Sequence, residues 1–103
     1  MRIKLALIYH DLAVLLDAGI PILKSLNIIS EGLQGHQKRI FSDLSKSVSQ
    51  GNTFADSMAE YPKVFARLDL MLVKSAELSG ELPNCFKMLS NWYEFSKRIK
   101  NII

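Results

Sequence analysis

Ser75-Ala76-Glu77-Leu78-Ser79-Gly80-Glu81-Leu82-Pro83-Asn84-Cys85-Phe86 fits a helix stop, a tight turn and a helix start into twelve residues. Gly80 is the natural left-handed closure of the first helix, a conformation in which a Cβ carries a steric cost. Glu81 opens the second helix against the positive end of its dipole. Pro83, within the first turn, lacks an N–H that would have had no intrahelical partner there. The stretch predicts two helices meeting as a hairpin, and nothing in the turn is catalytic by itself.

The 103 residues around it suffice for one small domain with a single core. Apolar residues make up 49% of them, mostly Leu, Ile, Ala and Met, and β-branched residues do not alternate in strips, so an all-α fold is expected. The single cysteine, Cys85, excludes an internal disulfide and a thiolate cluster and suits a reducing compartment. No secretory signal is read at Met1-Arg2-Ile3-Lys4, because the segment that follows is broken by His10, Asp11 and Asp17. No stretch is long and apolar enough to span a bilayer.

The net charge of +3 is localised. Residues 1–86 balance nine Lys/Arg against nine Asp/Glu, whereas residues 87–103 hold Lys87, Lys97, Arg98 and Lys100 against Glu94 alone. Such a cluster before Ile102-Ile103 is what precedes a transmembrane helix on its cytoplasmic side. It is equally what a solvated helix end shows when cations complement its own dipole. The expected organisation is one helical domain over residues 1–100, with 101–103 starting a membrane segment.

Residues 3–18 predict a first helix with Leu5, Ile8, Leu12, Leu15 and Leu16 on one stripe, stopped by Ala18-Gly19-Ile20-Pro21. Gly19 takes the left-handed position and Pro21 suits the first position of the next helix. That helix runs to about Leu33, with Ile22, Leu26, Ile29 and Leu33 inward. From His36 to Gln50 a narrow stripe of Ile40, Phe41, Leu44 and Val48 predicts a surface helix ended by Gly51. Thr53-Phe54-Ala55-Asp56 resembles a capping box opening a short helix that Tyr61-Pro62 closes. Leu68 to Leu78 is apolar on nearly all sides and is expected to lie deepest. The sixth helix follows Gly80 with Leu82, Phe86, Leu89, Tyr93 and Ile99 at helical spacing, and six helices joined by short turns give a compact antiparallel bundle.

Candidate chemistry is sparse. His10 and His36 share no metal-ligating motif, and no catalytic, cofactor or metal residue is assigned. Cys85 lies near a helix start, where the dipole lowers a thiol pKa, but Leu82 and Phe86 beside it read better as a helix contact. Glu77 and Glu81 invite an acid/base or cation-site reading. The structural alternative is a clasp, with Glu81 at a helix N-terminus and Glu77 accepting N–H bonds from the following turn or pairing a cation across the bundle. No glycine-rich loop cradles phosphate. Trp92, Tyr93 and Phe95 beside Lys97, Arg98 and Lys100 suit the headgroup zone of a membrane better than nucleic acid.

Taken together, Ala18-Gly19-Ile20-Pro21, Gly51-Asn52-Thr53-Phe54, Phe65 and Glu77-Leu78-Ser79-Gly80-Glu81-Leu82 resemble, in order and spacing, the N-terminal cytoplasmic domain of the type II secretion F protein family. That family includes the inner-membrane platform proteins of type IV pili, and the match is nearest in kind to those of type IVb systems. The residues carrying it are Gly19, Pro21, Gly51, Thr53, Glu77, Gly80 and Glu81. Two departures stand out: Ala76 replaces the usual Gly before the signature Glu, and Tyr9-His10-Asp11 stands where many relatives carry Arg-Gln.

The resemblance implies a non-enzymatic adaptor at the cytoplasmic face of a bacterial inner membrane, without cofactor. It implies a cytosolic assembly ATPase, other inner-membrane assembly proteins and pilins as partners, with membrane helices outside this chain and possible homo-oligomers. The polar side of the second and third helices, at Lys24, Glu31, Lys38, Arg39 and Asp43, is the expected docking surface, and Lys97, Arg98 and Lys100 are the juxtamembrane cations. The competing expectation is a small helical regulator binding nucleic acid or an anionic surface through its basic C-terminal helix.

Overall fold

Three helices end by one local device. At Gly19, Gly51 and Gly80 the backbone takes φ values of 86°, 99° and 74°. The residue after each glycine then reaches back across the turn: Ile20 N–H to Leu15 O at 3.1 Å, Asn52 to Ser47 O at 3.2 Å, and Glu81 to Ala76 O at 2.9 Å. This Schellman closure satisfies carbonyls that a helix end leaves unpaired.

The computed structural model describes residues 4–102. It contains α1 (Leu5–Asp17), α2 (Ile22–Glu31), α3 (Gly35–Ser49), α4 (Phe54–Met58), α5 (Arg67–Ser79) and α6 (Leu82–Ile102). The fold is all-α, and among the described residues there is no strand. Pro21 stands just before α2 as its N-cap rather than inside it. The second helix stops at Glu31, two residues short of the expected end, where Gly32 and Leu33 close the turn onto Ile29 and Ser30. Ile3 and Ile103, which the sequence assigns to the first helix and to a membrane segment, lie outside the described residues. Among those described, no helix is long and apolar enough to cross a membrane.

In backbone packing each helix lies against its neighbours in sequence, and α1 lies against α6, so the six form a closed ring. The α1–α6 pair is the most extensive contact. Aromatic side chains fill the middle. Tyr9 stacks on Phe86 with ring centroids 5.6 Å apart, Phe54 meets Phe86 at 5.6 Å, and Phe41 meets Phe65 edge-on at 6.2 Å. All five rings are fully buried with Leu12, Leu26, Ile40, Leu44 and Met58, and such burial contributes roughly 1.5–3 kcal/mol per large side chain.

The expectation that the helix over Leu68–Leu78 lies deepest does not hold. In α5 only Asp69, Val73 and Ala76 are buried, whereas Leu68 and Met71 are more than half exposed and Leu78 is 84% exposed. The physical reason is the ring. Its neighbours α4 and α6 cover one flank of α5 each, so a helix apolar on several sides still presents one of them to solvent.

Candidate functional site

The signature glutamate of the 75–86 segment lies in the last turns of α5, facing the N-terminus of α4. Helix α4 is five residues long and begins with N–H groups that no intrahelical carbonyl can reach. Glu77 Oε2 accepts the N–H of Phe54 at 2.8 Å, and Oε1 accepts that of Ala55 at 2.9 Å. Thr53 Oγ1 accepts the third, from Asp56, at 3.1 Å. Asp56 itself is exposed, and the second arm of the cap comes from α5 rather than from within the short helix. The partners of Glu77 thus lie in α4 rather than in the turn that follows it, and among the described residues it pairs with no cation. Its two charge-assisted bonds at the positive end of α4 tie residues 53–58 to α5.

Glu81 points elsewhere. It is exposed, and its Oε2 accepts from Asn84 Nδ2 at 2.7 Å, one turn into α6. The two carboxylates thus serve different helix starts and do not converge. Among the described residues no group of three or more His, Cys, Asp or Glu side chains could hold a metal ion.

The sequence reading passed over a buried carboxylate in the first turn of α5. Asp69 is 2% exposed, and its Oδ2 accepts the hydroxyls of Tyr9 from α1 and Tyr93 from α6, each at 2.8 Å. Three helices meet on one oxygen. Burial and the neighbouring carboxylate push both phenols well above their ordinary range. The signal available was an acidic residue inside the apolar run Leu68–Val73. Its partners lie 60 positions before it and 24 after it, out of reach of any periodicity.

Cys85 is buried beside this network. Burial, helped by the Asp69 charge, pushes its thiol up to about 11. That overrides the dipole at the start of α6 and leaves a protonated thiol near neutral pH, the opposite of an activated nucleophile.

Lys24, Glu31, Lys38, Arg39 and Asp43 are all exposed on α2 and α3. Asp43 Oδ2 is engaged by the Tyr61 hydroxyl at 2.6 Å, and the other four form no ion pair among the described residues. The two helices are joined beneath that surface by hydroxyl contacts, Ser30 to Ser42 at 2.7 Å and Ser45 to Asn27. A shallow apolar groove of about 310 Å³ opens between α1 and α2, with Leu7, Val14 and Ile28 exposed along it. Lys97, Arg98 and Lys100 are exposed on the last turns of α6.

The family described as Type II secretion system (T2SS), protein F matches residues 8–103. The chain is similar to the type IV pilus assembly protein PilC of Pseudomonas aeruginosa, with 31% identity over 97 residues covering 93% of this chain and 26% of that protein. It is similar to the type II secretion system protein F of Vibrio cholerae, with 32% identity over 100 residues covering 94% and 24% of the two chains. PilC of Thermus thermophilus is 30% identical over 91 residues, 87% of this chain and 22% of that protein. The chain thus spans about a quarter of the length of these relatives. With its three Schellman turns and its Glu77 cap inside the matched region, this chain belongs to the type II secretion system protein F family.

Proposed function

We propose that this chain is a protein-docking domain of an inner-membrane platform, held at the cytoplasmic face, where it recruits a cytosolic assembly ATPase and other inner-membrane components for pilus assembly or type II secretion. The observation that carries this reading is the family match over residues 8–103. Two relatives' names supply the process, type IV pilus assembly in one and type II secretion in the other. The architecture suits a scaffold: the polar groups of the interior, Asp69 and Glu77, are consumed in joining helices. The buried thiol is protonated.

Within that reading the ATPase meets the α2–α3 surface through Lys24, Glu31, Lys38 and Arg39, whose charges are exposed and without ion-pair partners among the described residues. Asp43 contributes less, because Tyr61 already holds it. The test is co-purification of the ATPase with the full-length protein bearing Lys38→Glu and Arg39→Glu. Recruitment should fall sharply while the helical content of the domain stays unchanged. Unaltered recruitment would move the docking surface elsewhere, and assembly that survives removal of the domain would end the platform reading.

A further inference from the structure

Helix α6 carries two apolar faces, and the ring uses one. Leu82, Phe86, Leu89 and Tyr93 pack inward against the core. Met88, Trp92, Phe95, Ile99 and Ile102 recur at alternating steps of four and three residues, which gathers them within roughly 80° of arc, centred about 120° round from the inward face. All five are exposed, Trp92 by 52% and Ile102 by 84%. The rings of Trp92 and Phe95 lie 6.3 Å apart on the outside of the domain. The same helical geometry sets Lys87 and Arg98 along one flank of this outer stripe, whereas Lys100 falls about 120° from its centre, exposed on the last turn. From Lys97 to Ile102 every residue is exposed, Ile99 by 39% and Ile102 by 84%.

We infer that the outer face of α6 is a lipid-binding element that lies on an anionic phospholipid surface. An apolar stripe bearing Trp and Phe, with cations along one edge and at its C-terminal end, is the arrangement that sinks into the headgroup boundary while its charges meet phosphate. Charge complementarity selects this occupant over a second copy. An antiparallel pair of such faces would set the Lys87–Arg98 edge of each copy against the same edge of the other, cation against cation, with Glu94 the one carboxylate between residues 87 and 102. The ring encloses its own core, so the domain keeps its fold while this face is engaged. The inference stands apart from the ATPase-docking reading and uses none of its residues.

Trp92 is the single tryptophan of the chain and reports on the stripe directly. The chain is mixed with vesicles of phosphatidylglycerol and phosphatidylcholine, and separately with phosphatidylcholine alone, while Trp92 emission is followed. Blue-shifted emission with the anionic vesicles, quenched by bromine-labelled acyl chains and released by salt, is the expected result. Replacing Lys87, Arg98 and Lys100 by Gln should weaken partitioning roughly a hundredfold, from about fivefold per cation. The pair Phe95→Ser and Ile99→Ser should abolish the shift. Circular dichroism should be unchanged in both variants, because every substituted side chain is exposed. Absence of a shift with anionic vesicles, or a shift indifferent to the three cations, would overturn the inference. A lipid-free, concentration-dependent shift that tracks dimer mass would overturn it in favour of a second copy.

Discussion

Glu77 and Phe54 are 23 residues apart in sequence, yet the carboxylate of the first accepts the backbone N–H of the second at 2.8 Å. The bond is one arm of a two-pronged cap, with Ala55 as the other. Hydrogen bonds to a charged acceptor each contribute on the order of 1.5–3 kcal/mol, less where water competes, and Glu77 is half-buried. Glu77→Ala should therefore cost about 2–4 kcal/mol in urea unfolding, and Glu77→Gln roughly half of that, since one carbonyl oxygen remains. Amide exchange at Phe54 and Ala55 should rise in both variants ahead of exchange in α1. If α4 stays protected in Glu77→Ala, the cap is not what holds it.

Tyr9 and Tyr93 share Asp69 Oδ2, so their contributions should not add. Tyr9 is fully buried and Tyr93 half-buried. Tyr9→Phe should cost about 2 kcal/mol and Tyr93→Phe about 1 kcal/mol. The double variant should differ from their sum by more than about 0.5 kcal/mol, because the first loss already leaves the carboxylate under-bonded. Additive losses in a double-mutant cycle would mean that the two phenols act separately.

Alkaline pH should destabilise the domain. Tyr9 and Tyr93 are raised chiefly by burial, Tyr61 to about 12 chiefly by its bond to Asp43, and Cys85 to about 11 chiefly by burial. Each folded pKa exceeds its ordinary value of 10.0 for the phenols or 9.0 for the thiol. The folded state thus favours the protonated form, and the stabilisation is complete below pH 9.0 and is lost as pH climbs through 11 and 12. Unfolding midpoints should stay level up to about pH 9.0 and fall progressively above it. Since all three tyrosines are raised, tyrosinate absorbance should lag the ordinary titration until the chain unfolds. A third of the signal appearing at 10.0 would contradict the buried network or the Tyr61–Asp43 bond.

Gly80 and Gly32 both close helices and should respond oppositely to a methyl group. At Gly80 a Cβ would meet nothing within 4 Å, so the whole cost of Gly80→Ala comes from φ at +74°, about 1 kcal/mol or more. Gly32 keeps a right-handed φ of −86°, and a Cβ there would sit 3.6 Å from Ile29 O in ordinary contact. Gly32→Ala should be neutral or stabilising by up to about 1 kcal/mol through the unfolded chain. Thermal midpoints of the two variants give the comparison.

How legible the fold is from sequence depends on how local its causes are. Gly19, Gly51 and Gly80 mark helix ends because the sign of φ is decided within one residue, and the structure carries all three at positive φ. The inward stripes of α1 and α3 are equally local in origin. The exposure of Leu68, Met71 and Leu78 is not, because it depends on which neighbours the ring sets beside α5. Glu77 and Asp69 draw their partners from other helices across 22 to 60 positions. A run of apolar residues around an aspartate shows that something must answer the charge, without saying that two phenols do.

The ring is closed by its first and last helices, and that sets the order in which it can be made. While the chain is being synthesised, Ile8, Tyr9 and Leu12 have no α6 to cover them until the residues around Phe86 and Tyr93 have emerged. Early segments of α1 are therefore held open until α6 has been made, the circumstance in which nascent chains depend on chaperones or misassociate. Closure then comes late and joins the most distant helices, a slow, non-local event in an otherwise helical domain.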